Sequence, residues 1–195
     1  MCQNAAKSHI IADISSEEEI IRVFRIIRSD YKRLDFLINN AAINPAILNV
    51  AFLPYETIQK IFKTNVFAPI VFCREAVKIM SRYKFGRIVN MGSMATRHEV
   101  AGEALYTATK ASINAFTKVL SKEVNNLGIT VNVLAPSVIE TDLSKAINQE
   151  ALREILNRNA IKKYGELIDI SNSIDYLISK ESQSVTGQVI YLGGV

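Results

Sequence analysis

The chain is predicted to fold as an α/β three-layer sandwich around a parallel sheet. Short continuous apolar runs alternate with longer stretches of helical periodicity, as in Asp35–Asn39, Arg87–Gly92 and Ile129–Leu134. Such runs suit strands covered on both faces, and the stretches between them are long enough to cross over as helices. No internal repeat or low-complexity linker interrupts the alternation.

The elements follow in order. His9–Ile14 reads as an early strand. The overlapping pairs Ser15/Glu18 and Ser16/Glu19 have capping-box spacing and precede a helix with Ile20, Val23, Phe24 and Ile27 on one face. Asp35–Asn39 is the next strand. A helical region runs from about Glu56 to Tyr83, bent or broken near Asn65 and Pro69, because proline lacks an amide donor. Arg87–Gly92 is a buried strand. Tyr106 to about Asn125 is a helix stopped by Gly128, the residue type that tolerates the left-handed conformation helices often end in. The buried strand Ile129–Leu134 follows, then helices at Ser144–Asn159 and Ile168–Lys180 and a last strand near Thr186–Tyr191.

At 195 residues and 49% hydrophobic content, residues 1–195 are expected to build one well-cored domain. No segment approaches the roughly 18 continuous apolar residues that span a bilayer, and Met1–Asn4 does not open a signal peptide. These features predict a cytoplasmic protein with no membrane partner. Cys2 and Cys73 have no metal spacing and no disulfide framework. The net charge of +4 invites a nucleic-acid reading, but the basic residues are scattered among acidic ones along helices, which argues against it. A modest positive field would also suit a phosphate-bearing cofactor or an acidic carrier.

Ser93 ends the third strand, and Tyr106 and Lys110 lie thirteen and seventeen residues later on one helix. Positions four apart share a helix face, so the lysine can lie beside the phenol. A free tyrosine has a pKa of about 10 and exchanges protons poorly at neutral pH unless its surroundings are tuned. A hydroxyl such as that of Ser93 can stabilise a carbonyl oxygen where negative charge develops. Tyr176 and Lys180 repeat the Tyr-x-x-x-Lys spacing, but Lys163, not a serine, stands thirteen residues before Tyr176. That second pair reads as a half-buried ring beside a solvated amine.

The Ser93, Tyr106, Lys110 pattern resembles the short-chain dehydrogenase/reductase family, and other segments agree in order. Asp35–Ala42 resembles its strand followed by Asn-Asn-Ala-Gly. Lys63–Val66 resembles its asparagine segment, and Val131–Asp142 and Thr186–Tyr191 its threonine loop and last strand. The likeness covers nearly the whole chain and leans toward 3-oxoacyl-carrier-protein reductases. It implies a Rossmann-like fold and an NAD(P)-dependent oxidoreductase that interconverts a ketone and a secondary alcohol. By resemblance Ser93 orients the carbonyl, Tyr106 is the general acid/base, Lys110 holds phenol and ribose, and Asn65 holds a proton-relaying water. Asp13 and Ile14 resemble adenine contacts, Asn40 and Ala41 ribose-side contacts, and Ile139 and Thr141 contacts to the carboxamide end. No metal is implied. The cofactor is NAD or NADP, and the substrate a small carbonyl or alcohol, free or carrier-linked. Residues read independently keep other roles open: Asn65 could simply bond to backbone, and Asp13 could begin a helix cap.

Ala42 and Ser137 stand where the family carries glycine. The helices at Glu56–Tyr83 and Tyr106–Asn125, with Ala111, Ala115 and Phe116, match those the family uses to form homodimers or homotetramers, and core packing explains the same residues. Leu143–Tyr164 resembles a substrate lid. No G-x-x-x-G-x-G phosphate loop occurs in the sequence, so the chain reads as a family member lacking its first two strands and helices. The His9–Ile14 strand is then expected to slide over and pair directly with Asp35–Asn39. The alternative reading of function is a non-catalytic member or partner subunit that cannot hold cofactor.

Overall fold

The computed structural model describes residues 9–44, 47–139 and 149–194. Its sheet has four parallel strands in sequential order: β1 (Phe36–Asn39), β2 (Gly86–Met91), β3 (Ile129–Ala135) and β4 (Val189–Tyr191). Every residue of β2 and β3 is buried, as continuous apolar runs require of central parallel strands.

Helices cover both faces. On one side α1 (Glu17–Ile26), α3 (Ala68–Met80) and α5 (Ala104–Val124) enclose Ile20, Phe24, Ile79, Ile88, Leu120 and Val131. On the other, α7 (Leu167–Ile178) packs Leu177 against Val89, Met91 and Leu134. The short α2 (Tyr55–Phe62) and α4 (Ala95–His98), and α6 (Gln149–Arg158), complete the described helices. The three-layer α/β architecture agrees with the sequence reading.

Ser16 caps α1, its Oγ accepting from Glu19 N at 3.4 Å. The reciprocal half of the capping box does not form, because the Glu19 carboxylate is taken by Arg22 at 2.8 Å. Ser15 is not the cap; its amide and hydroxyl both donate to Asp13 Oδ1.

The expected early strand is a correction. His9–Asp13 forms no ladder and Ile14 enters a turn, so β1 has β2 as its partner and no other among the described residues. Local bonds direct the segment elsewhere: Ser16 N donates to Asp13 O at 3.1 Å, and Arg22 Nη2 holds Ile11 O at 2.7 Å. With Ile20 and Phe24 docked beside α3, the segment leads into the helix instead of along the sheet edge. Phe36 and Ile38 on β1 consequently stay 44% and 41% exposed.

The bend expected near Asn65 is a π-helical turn, Lys63–Phe67, joining α2 to α3 with Pro69 in the first turn of α3. Proline has no amide to give back to the preceding turn, and the wider π spacing accommodates that missing bond within the continuous helix. Gly128, at φ +72°, closes the turn from α5 into β3 against Lys84 O.

Candidate active site

A cleft of about 470 Å³ opens at the C-terminal ends of β1, β2 and β3, where parallel α/β sheets bind ligands. Its walls come from the loop after β1 (Asn40–Ala42, Asn44), the β2 end (Met91–Ser93), the start of α5 (Tyr106, Lys110) and the loop after β3 (Pro136–Ile139). Three sheet ends and one helix thus converge on Ser93, Tyr106 and Lys110.

Ser93 sits just past β2 because Gly92 lets that strand end approach β3. A Cβ at position 92 would lie 2.5 Å from Val133 Cγ1 and 3.1 Å from Ala135 Cβ. Ala95 N donates to Ser93 Oγ at 3.1 Å, which fixes the oxygen and leaves the hydroxyl proton to be donated. Ser93 and Tyr106 line the same cleft, the serine hydroxyl near enough to act on the phenol. Burial pushes the Tyr106 phenol above its ordinary range; the nearby Ser93 hydroxyl opposes that push and the nearby Glu103 carboxyl adds to it.

Lys110 lies one helical turn after Tyr106, its Nζ 5.7 Å from the Tyr106 ring centre. It is buried and donates to Met91 O at 2.8 Å. Removal from water brings its amine down to about 8. Desolvation is therefore the main influence on both groups, which pushes phenol and amine alike toward their neutral forms.

Asn65 is buried and does not line the cleft. Its Oδ1 accepts from Ile43 N at 2.9 Å, while its Nδ2 donates to Ile43 O at 2.8 Å and to Thr109 Oγ1 at 3.3 Å. Thr109 Oγ1 in turn donates to Tyr106 O at 2.7 Å. The π-turn thereby pins the loop after β1 and the first turn of α5 to each other. π-turns inside helices often mark functional sites.

Asn40, Ala41 and Ile139 line the cleft. Ile14 lies in an adjoining hollow of about 110 Å³ that shares Asn40 and Ala41 with it, whereas Asp13 is exposed beside that hollow and carries the Ser15 turn. Thr141 lies outside the described residues, as does the first part of the expected lid. Tyr176, 47% exposed on α7, does not line the cleft. Neither Ala42 nor Ser137 has positive φ, so both are accommodated without strain.

Two cleft residues escaped the sequence reading. Glu103, three residues before Tyr106, is buried in the cleft wall, and desolvation holds its carboxyl above the usual range. His98 also lines the cleft, its imidazole lowered first by burial and then by Arg158. A charged residue within one turn of a candidate proton donor was the available signal for Glu103. His98 had none.

Known proteins resemble this chain along nearly its whole length. Residues 2–194 match the family described as Enoyl-(Acyl carrier protein) reductase. The chain belongs to the short-chain dehydrogenase/reductase family. Members of this short-chain dehydrogenase/reductase family are NAD(P)-dependent oxidoreductases, and by family this chain is one. It is 30% identical to a 3-oxoacyl-[acyl-carrier-protein] reductase of Rickettsia felis, covering 96% of this chain and 86% of that one. It is 32% identical to the 3-oxoacyl-[acyl-carrier-protein] reductase of Bos taurus, covering 93% and 74%. Among solved structures, a protein described as a gluconate dehydrogenase from Agrobacterium tumefaciens superposes with a TM-score of 0.88 at 30% identity, covering 93% of this chain and 72% of that one. NAD+-bound xylitol dehydrogenase shares the fold, with a TM-score of 0.86 at 23% identity over 95% and 78%.

The cleft fits the nicotinamide-bearing half of such a cofactor. It is concave, walled by the loops Asn40–Ala42 and Pro136–Ile139, and holds a buried amine with two N–H bonds that have no partner among the described residues. The sequence has no glycine-rich phosphate cradle to anchor the other half.

Proposed function

We propose that this chain reduces a ketone to a secondary alcohol, and runs the reverse reaction, with Tyr106 as proton donor and acceptor and Ser93 holding the reacting oxygen. The observation that carries the reading is the convergence of Ser93 and Tyr106 on one cleft from different elements, the serine hydroxyl near enough to the phenol to act on its proton affinity. The bound nicotinamide would supply or accept the hydride. In reduction, Ser93 donates its hydroxyl proton to the carbonyl oxygen as a hydrogen bond, strongest as charge builds there. The Tyr106 O–H then gives up its proton to that oxygen. A phenol held above its ordinary range by burial is protonated before reaction, which is the state that reduction uses.

Lys110 would hold a cofactor ribose with its remaining N–H bonds. Its charge would also offset the phenolate that forms on Tyr106. Asn65 acts as a positioning residue, through Ile43 and Thr109. Asn40, Ala41 and Ile139 would border the cofactor within the cleft; Asp13, Ile14 and Thr141 would extend that border.

The relatives named as 3-oxoacyl-[acyl-carrier-protein] reductases support a carbonyl substrate, carrier-linked in their case. We read the chain as one domain of a cytoplasmic homodimer or homotetramer. Ala111, Ala115 and Val119 form an outward stripe on α5, and Phe67 is exposed on the π-turn, whereas Phe116 turns inward to the core. Among the described residues no helix is long and apolar enough to cross a membrane.

Titration of NADH and NADPH fluorescence against the purified chain tests cofactor use. Saturable binding in the micromolar range is the expected result. Absence of binding up to millimolar cofactor would favour the non-catalytic alternative.

A further inference from the structure

Among the described residues Glu103 is the one buried carboxyl in the cleft wall, and the proton relay does not require it. Other buried charged side chains on the described residues are answered by protein groups. Glu75 is ringed by Arg28, Arg74 and Lys78 at 2.6–2.9 Å, Lys110 donates to Met91 O, and Arg87 donates to backbone carbonyls and lies over the Phe85 ring. Glu103 is only 8% exposed and has no side-chain hydrogen bond or ion pair among the described residues. It occupies the N-cap position of α5, yet its side chain makes no cap bond, so helix capping does not explain it.

The carboxylate oxygens are not among the buried unpartnered atoms, so they open onto the cleft, where a ligand that displaces water must supply their hydrogen bond or leave them unsatisfied at a cost in free energy. Glu103 faces the space beside Tyr106, close enough for its charge to act on the phenol. A group attached to the carbon next to a carbonyl held by Ser93 and Tyr106 would lie on that side. The N-terminal end of α5 favours negative charge, which preserves Glu103 as an acceptor. An ammonium on the substrate is the less suitable donor, because the Lys110 amine in the cleft and Arg158, which donates to His98 O beside it, already supply positive charge there. A neutral hydroxyl adds no such repulsion.

Resting on the reading that this cleft reduces carbonyls, we propose that Glu103 determines specificity by accepting a hydrogen bond from a hydroxyl next to the reacting carbonyl, so that the preferred substrate class is α-hydroxy ketones and the corresponding vicinal diols. A site built around such a bond discriminates strongly against the analogue that lacks the hydroxyl, because binding the analogue strands the buried acceptor. An unsubstituted acyl chain would strand Glu103 in this way.

The test compares acetoin with butanone, which differ by that one hydroxyl, in wild type, Glu103→Gln and Glu103→Leu. Turnover is followed with NADH and NADPH, and binding of each ketone is followed separately by ligand-observed NMR. Wild type is expected to favour acetoin about a hundredfold in kcat/KM. Glu103→Gln keeps an acceptor oxygen at the same place and retains most of the preference, while Glu103→Leu reduces it to about threefold or less. Equal binding of the two ketones by wild type would overturn the inference without any variant, as would an undiminished preference in folded Glu103→Leu. If wild type binds acetoin selectively but turns over neither ketone, the specificity inference stands and the redox reading fails.

Discussion

Lys110 donates to the carbonyl of Met91 at 2.8 Å, which staples the first turns of α5 to the last residue of β2, two positions before Ser93. One bond therefore sets the spacing between the helix that carries the candidate acid and the strand end that carries the candidate oxyanion donor. Removal of the amine from water is the cost, and it draws Lys110 down to about 8.

A pH dependence follows from that shift. The unfolded lysine titrates near 10.4, so between about 8 and 10 the unfolded chain binds more protons than the folded one at this site. The contribution of Lys110 to stability therefore rises with pH across that window and is flat below it. In thermal melts, the difference in Tm between wild type and Lys110→Met should move in favour of wild type from pH 8 to 10. A difference that stays constant would show that the amine is solvated.

Asn65 makes three bonds to Ile43 and Thr109. Substitution by alanine removes the partner of the part-buried Ile43 amide and carbonyl, and each group left unsatisfied costs up to about 1–3 kcal/mol. Asn65→Ala should lower stability by about 2–4 kcal/mol in urea denaturation. It should also lower kcat more than KM, since it loosens α5 beneath Tyr106. A variant as stable as wild type would contradict the clamp.

Gly92 is constrained by proximity, not by conformation. Gly92→Ala would force the β2 end away from Val133 and Ala135, at about 1–3 kcal/mol of overpacking. Because Ser93 is the next residue, activity should fall by a larger factor than the loss of stability alone explains. Denaturation and turnover measured on the same preparation separate the two effects.

The sequence made the central strands legible because β2 and β3 are continuous apolar runs that nothing else in the chain imitates. It made Ser93, Tyr106 and Lys110 legible because two spacings, along a helix and from a strand end, had to agree at once; Tyr176 failed that joint test and lies outside the cleft. The early strand was misread because six apolar-rich residues carry no signal for which element they join. The local bonds of Asp13 and Arg22 decided that question. Glu103 was missed because a carboxyl before a helix ordinarily reads as an exposed cap residue, and only the fold reveals its burial.

The unpaired side of β1 carries its own consequence. Phe36 and Ile38 are exposed on a strand whose second edge has no ladder among the described residues, and such edges template association between chains. Ile38→Lys should reduce concentration-dependent light scattering while leaving the far-UV circular dichroism spectrum unchanged. Unaltered scattering would place the association surface elsewhere.

The most direct measurement is the rate of NADH- or NADPH-dependent ketone reduction by Tyr106→Phe beside Tyr176→Phe. Loss of turnover by about a thousandfold or more in the first, consistent with removal of a general acid, and wild-type turnover in the second is the expected result. Retention of reduction by folded Tyr106→Phe would contradict the assignment of the proton to this phenol, and with it the reading of the cleft.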